Sequence, residues 1–157
     1  LPGLLAIRII LAIPLAFATL HYVFPLQAFD KMYVEIFPDW LRFAGIGIMG
    51  LSTAIIIISH VKLADNFNTT IDIKKNQDLV TSGIYAFVRH PIYSAYFFLF
   101  LFSFPVTQNW LFSASGLTII VSLMTIRLRA EENLLIEKFG QAYISYRKKT
   151  GKFLPRL

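Results

Sequence analysis

The sequence predicts an all-α integral membrane protein of about four transmembrane segments. Two of these form a short helical hairpin, and a polar connector and a C-terminal helix complete the chain. Two observations carry this. The 157 residues are 56% hydrophobic and 15% charged, against about 25% charged in an average soluble domain. The apolar residues also fall in four blocks separated by polar stretches, where a soluble core would disperse them. The length suits a single domain over 1–157, with two spans in 1–61 and a functional region in 62–157.

The first block, Leu4 to Phe24, is interrupted only by Arg8 and Pro14 and has the roughly 20 residues a bilayer requires. Pro14 is expected to kink it, as membrane helices tolerate. With no basic leader and no small-residue cleavage site, this block reads as a retained helix and not a signal peptide. Leu41 to Val61 forms the second span. Within it, Gly45-Ile46-Gly47-Ile48-Met49-Gly50 matches G-x-G-x-x-G, but dinucleotide binding needs a strand before the motif. Gly47, Gly50 and Ala54 are instead expected to form a small-residue face for helix packing.

The polar connector runs from Lys62 to Arg89. Two further apolar runs follow, Ile92 to Phe104 and Leu111 to Ile126, joined by Pro105-Val106-Thr107-Gln108-Asn109. Pro91 suits the first position of a helix, where its missing N–H is no loss. Pro91 to Phe104 would rise only about 21 Å as a helix at ~1.5 Å per residue. That run therefore either stops short of crossing or begins below the membrane surface. Beyond Arg127 the tail is basic and at first helical, and Phe139-Gly140 marks a helix stop.

Charge orients these segments. Of 15 Lys and Arg, four lie in the connector (Lys62, Lys74, Lys75, Arg89) and eight from Arg127 to Arg156. If four runs alternate, connector and tail share one face, and a basic excess marks that face as cytoplasmic. The loop 25–39, with Asp30, Glu35 and Asp39 against Lys31, falls outside, and the sequon at Asn68 lies on the cytoplasmic face. The formal charge of +6 thus reflects orientation, so no nucleic-acid partner is expected. Membrane lipids are the expected surroundings, with Arg147-Lys148-Lys149 meeting anionic headgroups. With no cysteine, disulfides and thiolate chemistry are excluded. Three scattered histidines make no metal site.

Chemistry concentrates around Arg89-His90-Pro91-Ile92-Tyr93. Arg89 and His90 stand at a helix N-terminus, which favours anions through unpaired N–H groups and the helix dipole. His21 and His60, at span ends, read as interfacial residues bonding locally, whereas His90 has an arginine, a helix start and two tyrosines around it. Tyr85 and Tyr93 suit either a membrane aromatic belt or the face of a cationic ligand. Arg127 and Glu131 are four apart on a helix, and alone they read as a surface ion pair.

Taken together, these blocks resemble the isoprenylcysteine carboxyl methyltransferase family and its phospholipid N-methyltransferase relatives. The resemblance runs from about Asp65 to the C-terminus. It rests on Leu79-Val80-Thr81-Ser82-Gly83-Ile84-Tyr85, on R-H-P-x-Y from Arg89 to Tyr93, on R-x-x-x-E-E at Arg127, Glu131 and Glu132, and on F-G-x-x-Y-x-x-Y from Phe139 to Tyr146. It closes on Phe153-Leu154-Pro155. Four blocks in this order around a short apolar hairpin are specific where each alone is weak, and the first 60 residues match only as spans.

The resemblance implies a membrane enzyme that uses S-adenosylmethionine and releases S-adenosylhomocysteine. By position, Gln77, Asp78, Leu79, Val80, Tyr85, Arg89, His90, Pro91, Ile92, Tyr93 and Glu132 would hold the cofactor. Glu131 would stand beside Glu132 at the cofactor and Arg127 would face the substrate, so that Arg127, Glu131 and His90 are the catalytic candidates. Arg89 or His90 suits the cofactor's carboxylate, Glu132 its ammonium or ribose, and the tyrosines its adenine or sulfonium. The acceptor implied is lipophilic, such as a prenylcysteine carboxylate, which needs no general base. An amine or thiol acceptor would need one, and His90 or Glu131 is at hand. Asn133, standing where relatives often extend the acidic run, and the short chain weigh against the prenylcysteine more than against the chemistry. The rival readings are a phospholipid N- or small-thiol S-methyltransferase, an NADPH-dependent membrane reductase sharing an R-H-P-x-Y-like block, and a non-enzymatic scaffold.

Overall fold

The computed structural model describes residues 31–63 and 78–156, with residues 13, 16, 19, 20, 23 and 24 ahead of them. The expected first span lies mostly outside these residues, as do His21, the sequon and Gln77. Four helices carry the described chain: α1 (Asp39–Leu63), α2 (Pro91–Thr107), α3 (Trp110–Phe139) and α4 (Gln141–Lys149). A 3-10 turn, Gly83–Ala86, precedes α2. Among the described residues β-pairing is limited to two isolated bridges, Tyr33 with Asn109 and Val88 with Gly151.

Both α1 and α3 are long and apolar enough to cross a membrane, and α2 is a shorter apolar helix. Helix α1 carries Asp39 in its first turn and His60 and Lys62 in its last, the order the helix dipole favours. It leaves Phe43 72%, Leu51 62% and Val61 73% exposed, a surface suited to lipid rather than water. His60 bonds locally as expected, donating from Nδ1 to the Ile56 carbonyl at 2.8 Å.

The chain divides into two compact units, Leu1–Ser52 with Phe97–Ser122, and Thr53–Tyr96 with Leu123–Leu157. In the first, α2 and α3 pack as a hairpin. A Cβ on Gly116 would run into the Phe100 ring, and Ser113 Oγ donates to the Phe100 carbonyl at 2.7 Å. Glycine is what lets the two backbones approach so closely. The turn is tighter than expected, because α2 continues through Pro105 to Thr107. Thr107 Oγ1 donates to the Ser103 carbonyl at 2.8 Å, one turn back, a bond that helps hold a helix around a proline. Gln108 turns the chain with φ of 55°. Asn109 Oδ1 then accepts from the Phe112 N–H at 3.0 Å, capping α3.

Two expectations need correction. The connection between the apolar runs is Gln108-Asn109 and not the five residues from Pro105. Among the described residues the close-packing glycine of α1 is Gly45, whose added Cβ would meet Val106 Cγ2 at 2.8 Å and the Phe102 carbonyl at 3.3 Å, whereas no described residue lies within 4 Å of one on Gly47 or Gly50. Glycine spacing shows that a helix has a small-residue face, while the neighbour's position decides which glycine is used.

Candidate functional site

The second unit contains the polar residues that the sequence singles out. Its first wall is the stretch 78–90. Asp78 is exposed, and Leu79 and Val80 are half-buried on the approach to the 3-10 turn. Gly83 opens that turn with φ of 65°, a conformation glycine adopts without strain. The turn buries Tyr85, whose hydroxyl reaches the Ser59 carbonyl of α1 at 3.4 Å. Pro91 then starts α2 at the expected position, and His90 caps it by accepting the Ser94 N–H at 3.3 Å.

The second wall is the polar end of α3. Thirty residues of helix extend about 45 Å, longer than the ~30 Å hydrocarbon core. The charged turns from Arg127 onward therefore reach past the apolar stretch that ends at Ile126. Spacing four apart puts Arg127 Nε 3.9 Å from Glu131 Oε2, and the Tyr93 hydroxyl donates to the same oxygen at 3.3 Å. Gly140, with φ of 52°, ends α3 where expected and leads into α4.

The third wall is the strap after α4, residues 150–153, which lies parallel to the chain entering α2. Gly151 N donates to the Phe87 carbonyl at 3.1 Å, Arg89 N to the Gly151 carbonyl at 2.9 Å, and His90 N to the Lys152 carbonyl at 3.1 Å. Ser94 Oγ donates to the Phe153 carbonyl at 2.6 Å. The Arg89 side chain bolts the strap from behind, donating from Nη1 to the Arg147 carbonyl at 3.0 Å and to the Thr150 carbonyl. A cation is well placed there, at the unpaired carbonyls of a helix C-terminus.

Glu132 sits where the walls meet, 9% exposed. Its Oε1 is 3.3 Å from both Arg89 Nε and His90 Nε2, and its Oε2 is 3.9 Å from Lys152 Nζ. The hydrogen bond from His90, with the nearby Lys152 and Arg89 charges, outweighs burial and holds the carboxyl down at about 2. An ionised carboxylate only accepts, so His90 Nε2 is the donor of that bond.

Around this cluster stand the tyrosines of the F-G-x-x-Y-x-x-Y block. Tyr143 is 1% exposed, and Tyr146 donates to the Tyr85 carbonyl at 2.6 Å. Burial raises all three phenols, Tyr85, Tyr143 and Tyr146, the last to about 12, so they remain neutral.

The fold thus gathers Arg89, His90, Tyr93, Arg127, Glu131 and Glu132, with Pro91 buried and Ile92 half-buried beside them. Sequence reasoning missed Lys152, because only the strap's pairing brings it to Glu132. It also left Tyr143 and Tyr146 as motif letters, although their spacing of three on a short helix marked one shared face. Among the described residues no group of three or more His, Asp or Glu is placed to hold a metal.

Comparison with known proteins gives the family. The model of the isoprenylcysteine carboxyl methyltransferase (ICMT) family matches residues 44–137, beginning earlier than the motifs alone suggested. A protein-S-isoprenylcysteine O-methyltransferase of Schizosaccharomyces pombe is 33% identical over 97 residues, covering 60% of this chain and 41% of the relative. The Homo sapiens protein of the same name is 28% identical over 118 residues, covering 74% and 42%. The solved structure of the eukaryotic intramembrane Ras methyltransferase ICMT superimposes with a TM-score of 0.68 at 25% identity, over 93% of this chain and 51% of that one. The chain therefore spans about half the length, or less, of these relatives. With a family match over more than half its residues, and with R-H-P-x-Y and R-x-x-x-E-E facing each other in one unit, the chain belongs to the isoprenylcysteine carboxyl methyltransferase family.

Proposed function

We propose that this chain is an S-adenosylmethionine-dependent membrane methyltransferase acting on a lipophilic acceptor of the prenylcysteine carboxylate kind. In this reading four spans place the cofactor site on the cytoplasmic side. The observation that carries the reading is the Glu132 cluster, in which a buried, ionised carboxylate meets Arg89, His90 and Lys152 beside neutral tyrosines. That donor set fits a ligand with an ammonium, a carboxylate and a ribose at one end and an aromatic base at the other.

The bound cofactor would supply an electrophilic methyl group on its sulfonium. The chain's own residues would bind and align. Glu132 would accept hydrogen bonds from the ammonium or ribose, and Asp78, Leu79, Val80 and Tyr85 would line the nucleoside. His90, Pro91, Ile92 and Tyr93 close the side at the start of α2. Arg127, paired with Glu131, faces the acceptor carboxylate. Such an acceptor is already a nucleophile at neutral pH, so no residue has to remove a proton. Holding it in line with the methyl can supply about 7–11 kcal/mol of barrier lowering at best.

The test is calorimetric titration of the detergent-purified chain with S-adenosylhomocysteine and, separately, NADPH. Binding of the first alone, lost in a folded Glu132→Ala variant, supports the reading. NADPH binding moves the chain to reductase chemistry, and a folded parent that binds neither ligand overturns the cofactor assignment.

A further inference from the structure

Resting on the methyltransferase reading, we infer that Lys152 is the cation receiving the carboxylate at the cofactor's amino-acid end, and that Arg89 is a positioning residue holding the strap that carries it. Arg89 is committed elsewhere. Its Nε faces Glu132, its Nη1 serves the Arg147 and Thr150 carbonyls, and its side chain is 9% exposed. His90 Nε2 is likewise turned to Glu132, with a side chain 5% exposed. Lys152 differs. Its side chain is 38% exposed, and it lies 3.9 Å from Glu132 Oε2, too far for a hydrogen bond. Its ammonium also stands 5.6 Å from the centre of the Phe153 ring. Three N–H donors are thus held near the site, unspent on Glu132.

Geometry points to a zwitterion, and charge to its carboxylate. Two permanent cations, Arg89 and Lys152, surround one carboxylate, leaving one positive charge in excess. Glu132 and Lys152 present an anion and a cation less than 4 Å apart. An α-amino acid presents the complementary pair, ammonium and carboxylate on adjoining atoms. With its ammonium on Glu132, its carboxylate would meet Lys152 in a charge-assisted contact. The Lys152 backbone is pinned to His90 N at 3.1 Å, so the ammonium is delivered from a fixed root.

A ligand pair isolates the amino-acid end. S-adenosylhomocysteine carries it, and 5′-methylthioadenosine has the same nucleoside and thioether without it. In calorimetry on the whole chain, Lys152→Ala should weaken S-adenosylhomocysteine about tenfold and leave 5′-methylthioadenosine unchanged. Lys152→Arg should recover most of the loss. Equal loss for both ligands, or no loss for either, overturns the inference. So does an unchanged S-adenosylhomocysteine affinity with a raised KM for farnesylcysteine, which would give Lys152 to the acceptor's carboxylate. A parent that binds neither ligand instead overturns the methyltransferase reading beneath it.

Discussion

Glu132 links the site's chemistry to the protein's stability. Its carboxyl is held at about 2 against an ordinary 4.5. A depressed carboxyl contributes stability that is fully present above its unfolded value and is lost as pH falls through the folded one. The contribution is on the order of 3 kcal/mol, and it disappears between about pH 4.5 and 2. Thermal unfolding in detergent from pH 6 to 3 should show the midpoint falling in the parent. Glu132→Gln should remove much of that slope, at the cost of a lower midpoint at neutral pH. Tyr143 makes the opposite case. Its hydroxyl is buried without a hydrogen-bond partner among the described residues, and such a group costs about 1–3 kcal/mol. Tyr143→Phe keeps the ring and removes that cost, so its unfolding midpoint should equal or exceed the parent's.

Among the elements, the hairpin and the strap depend on different glycines. Gly116→Ala would drive a methyl into the Phe100 ring and should cost about 1–3 kcal/mol by overpacking. Gly47→Ala meets open space and gains up to about 1 kcal/mol of helix propensity. Thermal midpoints of the two variants should therefore move in opposite directions. The strap turns back on itself at Gly151, where a Cβ would run into the Leu154 carbonyl oxygen. Backbone cannot yield as a ring can, so Gly151→Ala should displace Lys152 and weaken S-adenosylhomocysteine binding at least as much as Lys152→Ala does.

Across the whole molecule, charge predicts an orientation. The acidic loop before α1 and the basic connector and tail are expected on opposite faces. With no native cysteine, single cysteines report this cleanly. Cysteines replacing Lys62 and Arg156 should react with a membrane-impermeant maleimide from the same side of sealed vesicles, and one replacing Glu35 from the other. Labelling of Glu35→Cys and Arg156→Cys from one face would refute the four-span arrangement.

Spacing and composition alone determined the helical class, the start of α2 at Pro91, the end of α3 at Gly140 and the Arg127–Glu131 pair. Each follows from local rules: a proline without an N–H, a glycine free to take positive φ, or a four-residue repeat on one helix face. The motif blocks likewise located the residues now gathered around Glu132. Only tertiary structure decided how they divide the work. Arg89 and Lys152 are both single cations in the sequence, 63 positions apart. One is sealed behind the strap, and the other stands open beside Glu132, because the strap's backbone pairs with the chain entering α2. Hydrogen bonds between distant backbone segments carry no side-chain signature, so nothing in the residue order announces them. The choice of Gly45 over Gly47 and Gly50 as the packing glycine has the same origin, since a neighbouring helix and not the glycine pattern sets which one is approached.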